Sequence, residues 1–343
     1  MILPDDAPPG PTTARETSLG ASEIAAVAGI APYKKPIDVW GAKRGLLRPE
    51  PDAIDARAVG KVLERPLLEH LYAPPRRLSL AFPGTLTHAS EPWASATPDA
   101  IAAALATLTA SELVQALPGG SAEAPRHAVE AKIVGGRQQR RWLEDYESEP
   151  GPPPEVVCQV QWQMWVLRSV GVAVTHGEVV ALFGTDLRVF RVEYDAPFVD
   201  DLATIARAWW QKHIVGGVMP EPDGSESARR VIESRWRKVE RGLLPMPDGV
   251  AAVARDYLTL GATIRAAEEE RDALGNRLRE AIGDAQGYHG DGLKAVWREQ
   301  RGRVAWQRYA EALGATGAGS EAFRGEDVRV LDVRGSKQRK ETP

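Results

Sequence analysis

The stretch His127–Lys132, HAVEAK, constrains this chain more than any other. Read as a short strand, it places Ala128 and Glu130 on one side and Val129 and Ala131 on the other. Lys132 then shares the Glu130 face, two residues on. Taken alone, Glu-x-Lys in a strand is a cross-strand salt bridge on a wet face. The segments before and after it decide whether it is more than that.

With 343 residues the chain is long enough for one large domain or two smaller ones. Residues 225–343 hold 22 Lys+Arg and 19 Asp+Glu, which leaves 21 and 28 in residues 1–224. An acidic larger part does not bind nucleic acid by net charge, so any DNA site must be local. The one cysteine, Cys158, excludes a disulfide framework and a cysteine-rich zinc site and fits a reducing cytoplasm. The start, MILPDDAPPGPTT, lacks a basic segment followed by an apolar run, so a secretory signal is not expected. No apolar run approaches the length that spans a bilayer.

Three stretches are expected. Residues 1–14 are Pro-rich and disordered, residues 15–222 form the main domain, and residues 223–343 form a helical, coiled-coil-like extension. Ser22 reads as an N-cap with Glu23 in the first turn, and Ile37, Val39 and Trp40 begin a second helix. A third helix spans 55–72, with Val59, Val62, Leu63, Leu67 and Leu71 as its apolar face, Glu64 beside that face, and Pro66 kinking or restarting it. Two short strands between 77 and 99 end in Thr97-Pro98-Asp99. The Ala-rich residues 100–126 read as an insertion or a long hairpin leading to the HAVEAK strand.

Residues 137–155 read as a polar loop carrying Arg137, Arg140 and Arg141. A helix follows at 155–169, with Gln159 and Gln163 four apart on one face. Strands at 174–183 and 187–194 are joined by a turn at Gly184-Thr185-Asp186, and a helix at 198–215 carries Trp209 and Trp210. Beyond the boundary near 223, residues 226–242 read as a basic helix. Residues 248–283 form a long helix with near-heptad spacing, as in a helical hairpin or coiled coil.

Glu64 on a helix, Asp99 at a strand end, Glu130 and Lys132 on the next strand and Gln159 on the following helix make one constellation. Carboxylates brought together and facing an ammonium suit a hard-cation phosphodiesterase, because Mg²⁺ takes oxygen ligands and close carboxylates repel one another without a cation. The order of these pieces resembles the PD-(D/E)XK nuclease superfamily, and within it the YqaJ-like viral recombinases that include the lambda-type exonucleases. The matching pieces are Leu19-Gly20-Ala21-Ser22-Glu23-Ile24, Gly60-x-x-Leu63-Glu64, Thr97-Pro98-Asp99, Val129-Glu130-Ala131-Lys132 and Cys158 to Val166. Two departures stand out: Ala100 replaces the usual glycine after Pro-Asp, and the segment from Asp99 to Glu130 is longer than a tight hairpin.

The resemblance implies an α/β (α+β) fold with a restriction-endonuclease-like core, a mixed central sheet flanked by helices. It implies Asp99, Glu130 and the Ala131 carbonyl as ligands of Mg²⁺, for which Mn²⁺ can substitute. Glu64 completes the metal site, Lys132 is the catalytic lysine and Gln159 lies beside it. Arg15 and Ser22 are implied to bind a DNA 5′-phosphate. The implied activity is a cytoplasmic 5′→3′ exonuclease on double-stranded DNA ends in phage or prophage recombination, feeding a single-strand annealing recombinase and forming a trimeric ring. The competing readings are an endonuclease on restriction or branched DNA and a non-catalytic DNA-binding or assembly protein on a nuclease scaffold.

Overall fold

The computed structural model describes residues 17–47, 56–104, 126–143, 150–236 and 242–298. The chain groups into two units, Met1–Trp236 and Arg237–Pro343. The first opens with β1 (Leu19–Gly20), α1 (Ala21–Val27) and α2 (Pro36–Lys43), followed by α3 (Ala56–Pro66). A π-helical turn, Leu67–Tyr72, carries α3 into the short α4 (Ala73–Arg76). Then come β2 (Leu78–Ala81), β3 (Leu86–Thr87), β4 (Ala94–Ala96), β5 (Ala100–Ala104) and β6 (Arg126–Val134). Helices α5 (Gly136–Leu143) and α6 (Pro154–Ser169) lead to β7 (Val174–Phe183) and β8 (Asp186–Glu193). The unit closes with α7 (Ala196–Trp209), a π turn at Trp210–Val215, and α8 (Glu226–Arg235).

The strands form a mixed five-stranded sheet in the order β2-β5-β6-β7-β8, in which only β6 and β7 run parallel. A parallel pair needs a crossover, and α5 and α6 supply it. A small sheet, β1-β4-β3, stands apart. The mixed α/β architecture with helices on both sheet faces is the one expected. Of the expected insertion or long hairpin at 100–126, the two ends are described: β5 pairs antiparallel with β6, Ala100 opposite Val129, and residues 105–125 lie outside the described residues.

Helix α6 is buried nearly all round, which is why its apolar residues show no single stripe. Val156, Val160, Met164 and Leu167 pack on Ala128, Val179 and Ala181 of the sheet. Cys158, Trp162 and Val166 pack the other way, with α1 and α7. Trp209 and Trp210 are both buried in that second cluster, so neither presents its ring as a platform for a base. The approach of α6 to the sheet depends on Gly177, where a Cβ would lie 2.2 Å from Val160 Cγ1.

The opposite sheet face is covered by Leu67, Leu68, Tyr72 and Ala73, which pack on Ala100, Ala102, Val129, Ala131 and Val180. Here the expected apolar stripe of the third helix is corrected. Pro66 has no N–H to donate, and the chain widens into the π turn instead of breaking. The buried face is thereby set by Leu67, Leu68 and Tyr72, while Val59, Val62, Leu63 and Leu71 are exposed.

Three further expectations change. The first helix is capped at Gly20, not at Ser22, because the Glu23 carboxylate reaches back to accept the Gly20 N–H at 3.0 Å. The start of the expected arginine loop is helix α5, anchored by buried Trp142 and by Arg141, which donates to both oxygens of Glu155 at 2.7 and 3.1 Å. Helix α8, assigned from the sequence to the extension, buries Ala228 and Val231, the latter against Gly41 of α2. The first unit therefore runs past the boundary expected at 222/223. Residues 1–14 lie outside the described residues.

In the second unit, α9 (Asp248–Ile282) is followed by a hairpin of β9 (Gly287–Gly290) and β10 (Leu293–Val296). Among the described residues, no helix is long and apolar enough to cross a membrane.

Candidate active site

The antiparallel pairing of β5 with β6 puts Asp99 next to the HAVEAK strand. The Asp99 N–H donates to the Val129 carbonyl at 3.1 Å, and its Oδ2 accepts the Ala131 N–H at 2.8 Å. Asp99 is thus held by backbone at the edge of β6, one residue either side of Glu130. Ala131 is tied to Asp99 through its N–H.

Glu130 faces α6 and is 3% exposed. Its Oε1 accepts from Lys132 Nζ and from Gln159 Nε2, the latter at 2.6 Å. Its Oε2 accepts from Gln163 Nε2 at 2.6 Å. Lys132 Nζ also donates to Gln159 Oε1 at 3.2 Å. The four groups form one closed network, in which charge-assisted bonds replace the water that Glu130 has lost. Gln163 was not singled out for this site by the sequence, although its spacing of four from Gln159 puts both on one helix face. Its Oε1 is buried and finds no partner among the described residues.

Glu64 lies on α3, with its carboxylate 3.2 Å from Lys61 Nζ. Its charge reaches both Asp99 and Lys132. The Asp99 carboxyl is pushed up to about 8, first by burial, then by the Glu130 and Glu64 charges, against the Ala131 N–H bond that pulls it down. Burial pulls the Lys132 ammonium down, but Glu130, Asp99 and Glu64 outweigh it and raise it above its ordinary value. Lys132 is therefore a fixed cation at neutral pH.

These residues fit a hard divalent cation. The donors are carboxylate oxygens and a carbonyl, and Lys132 alone does not supply enough positive charge to ionise Asp99 beside Glu130 at neutral pH. Asp99, Glu130 and the Ala131 carbonyl, with Glu64 nearby, are the groups that would hold one.

Lys132 and Gln159 also line a cleft of about 280 Å³. Ser22, on the exposed side of α1, Tyr33 and Arg141 line the same cleft. Arg15, the other half of the expected 5′-phosphate pocket, lies outside the described residues.

A second polar cluster escaped the sequence reading. One ligand atom each of His127, His176 and Glu178 lies within 4.8 Å of the others. His127 and His176 meet only because β6 and β7 pair in parallel with these two residues in register. No local spacing signals that. The cluster is already bonded: the Tyr72 hydroxyl donates to Glu178 Oε2 at 2.7 Å and lies 2.8 Å from His127 Nε2, and Arg76 Nη1 donates to Glu178 Oε2 at 2.7 Å. Burial lowers His127 to about 4, so its ring is neutral, and Arg76 supplies the positive charge beside Glu178. The cluster fastens the π turn and α4 to the sheet face opposite Glu130.

A family profile described as the YqaJ-like viral recombinase domain matches residues 12–175. The chain is 21% identical over 287 residues to the uncharacterized protein YqaJ of Bacillus subtilis (strain 168), covering 83% of this chain and 81% of that protein. Among solved structures it is similar to LHK-Exo in complex with dAMP, at 17% identity and a TM-score of 0.44, covering 59% of this chain and 91% of that one. It is also similar to the alkaline exonuclease LHK-Exo from Laribacter hongkongensis, at 16% identity and a TM-score of 0.42, with the same coverage.

Proposed function

We propose that this protein, whose residues 12–175 match the profile described as the YqaJ-like viral recombinase domain, is a metal-dependent deoxyribonuclease, a 5′→3′ exonuclease acting on double-stranded DNA ends during recombination. The observation that carries the reading is the closed network in which Glu130 is held by Lys132, Gln159 and Gln163, with Asp99 fastened beside it. A surface salt bridge needs none of this; a site that must hold two carboxylates together does.

In this reading Asp99, Glu130 and the Ala131 carbonyl bind Mg²⁺, with Mn²⁺ as a substitute and Glu64 completing the site. The bound cation supplies neutralisation of the scissile phosphate and a more acidic water. Lys132, charged throughout the neutral range, stabilises the negative charge that develops on the phosphate oxygens. Gln159 keeps the ammonium on the Glu130 face by accepting from it while donating to Glu130. Arg15 and Ser22 take the 5′-phosphate of the strand end, with the cleft that Ser22 shares with Lys132 leading from that phosphate to the site. The resulting single strand is the substrate of an annealing protein.

The test is digestion of linear and closed-circular plasmid with Mg²⁺. Wild type is expected to degrade the linear form and leave the circle intact, with Lys132→Ala and Asp99→Asn slower by at least about 10²-fold. Equal rates for the three proteins would sink the site assignment, and cleavage of the circle would make it an endonuclease. For the end pocket, 5′-phosphorylated DNA is expected to be digested faster than 5′-hydroxyl DNA, and Arg15→Ala to abolish that preference. A preference that survives the substitution counts against Arg15.

A further inference from the structure

Helix α9 is 35 residues long, and among them only Ile282 is buried. A helix of this length standing in water is expected to be polar all round. This one is not: Val250, Val253, Tyr257, Leu260, Ile264 and Leu274 are each more than half exposed, as is Leu278.

These residues follow a strict seven-residue repeat. One series, the a positions, is Val250, Tyr257, Ile264, Arg271 and Leu278. The other, the d positions, is Val253, Leu260, Ala267, Leu274 and Ala281. A 3,4-spaced seam sustained over five heptads is the pattern of a helix that supercoils with a second one. We infer that α9 is a dimerisation helix, which pairs antiparallel with α9 of a second copy of this chain about a two-fold axis between Ile264 and Ala267.

Charge decides the direction. A parallel, in-register pair would stack Arg271 on Arg271 in the seam. Its flanking g-to-e contacts would be Asp256 with Gly261, Thr263 with Glu268, Glu270 with Gly275 and Arg277 with Ile282, none of opposite charge. The antiparallel pair sets Leu260 opposite Arg271, Tyr257 opposite Leu274 and Val253 opposite Leu278. It also places Asp256 of each copy beside Arg277 of the other, so the two-fold axis makes that contact twice. Arg271 then lies one turn from Asp256 of the second copy. On the other flank, Ala254 meets Gly275, small residues that let the two helices come close. Gly261 and Gly275 are poor choices for a solitary helix, each costing about 1 kcal/mol relative to alanine; a flank where two backbones approach gives them a use.

This inference is independent of the nuclease reading, because it uses no residue of that site. The experiment measures the mass of the full-length protein by light scattering and sedimentation, with far-ultraviolet circular dichroism to follow the helix. Wild type is expected to contain an even number of chains. Leu260→Glu combined with Leu274→Glu is expected to halve that number and raise the dissociation constant by more than about 10²-fold. Asp256→Arg alone is expected to weaken pairing by roughly tenfold, and Asp256→Arg with Arg277→Asp to restore it. A monomeric wild type, or an assembly that Leu260→Glu/Leu274→Glu leaves unchanged, overturns the inference. A failure of the double charge reversal to recover the affinity lost in the single one overturns the antiparallel arrangement.

Discussion

Replacing Asp99 by asparagine separates what the site costs from what it does. Asp99→Asn keeps an oxygen to accept the Ala131 N–H, a bond of 2.8 Å, but removes a carboxylate from beside Glu130. Without a bound cation, the wild-type Asp99 carboxyl is pushed from its ordinary 3.8 up to about 8. The folded value lies above the unfolded one, so across this window the folded chain holds a proton that the unfolded chain gives up. Raising the pH therefore favours unfolding: the contribution is most favourable below about pH 4, is lost as pH rises, and levels off above about pH 8. Each unit corresponds to about 1.4 kcal/mol. From pH 5 to pH 7 the wild type should lose on the order of 2–3 kcal/mol relative to the variant, less what solvent at the half-buried carboxyl takes back.

The assay is urea denaturation in chelator at unit steps from pH 5 to pH 8. Wild type and variant should diverge steadily, with Asp99→Asn the more stable at pH 8. Adding Mg²⁺ should then raise wild-type stability in proportion to RT ln(1 + [Mg²⁺]/Kd) and leave the variant nearly where it was. Parallel pH profiles would refute the electrostatic account of Asp99. Divergent profiles with no Mg²⁺ effect on either protein would keep the account of the charge and remove the cation from it.

Two further substitutions probe the frame that holds the site. Gly177→Ala puts a Cβ 2.2 Å from Val160 Cγ1 and must push α6 off the sheet; a loss of about 1–3 kcal/mol is expected as a lower urea midpoint with the slope unchanged, and an unaltered midpoint would show that the helix is free to shift. Tyr72→Phe removes the hydroxyl between His127 Nε2 and Glu178 Oε2; leaving both without that partner should cost about 1–3 kcal/mol in thermal unfolding, and no cost would mean that water takes its place.

Several parts of the site and fold are legible locally, and the reason is periodicity. Alternation along residues 127–132 places Glu130 and Lys132 together whatever the rest of the chain does, and the structure keeps both on the α6 face. Pairings that depend on register are not legible. The stacking of His127 on His176 follows from the parallel alignment of two strands that pairs residues 49 positions apart, which no nearby residue announces. The stripe on α3 failed for a related reason. A helical wheel assumes 3.6 residues per turn, and the π turn after Pro66 changes that count, so Leu68 and Tyr72 go inward and Leu71 goes out.

The three glutamines of α6 show how far local reasoning reaches and where it needs the fold. Successive residues of a helix turn by about 100°, so Gln161 points away from Gln159 and Gln163 although it sits between them. Both amides on the sheet side donate to Glu130, one to each oxygen. The middle one donates to the Glu193 carbonyl at 2.7 Å and accepts the Asp195 N–H at 3.1 Å, tying the end of β8 to the start of α7. Spacing alone separates the pair from the single residue, but it cannot say which face meets the carboxylate. The apolar neighbours do: Val156, Val160 and Met164 pack on the sheet and draw Gln159 and Gln163 towards Glu130. A change that weakened this packing would disorder Glu130 and the β8–α7 junction together, so the geometry of the site and the closure of the first unit rest on the same helix.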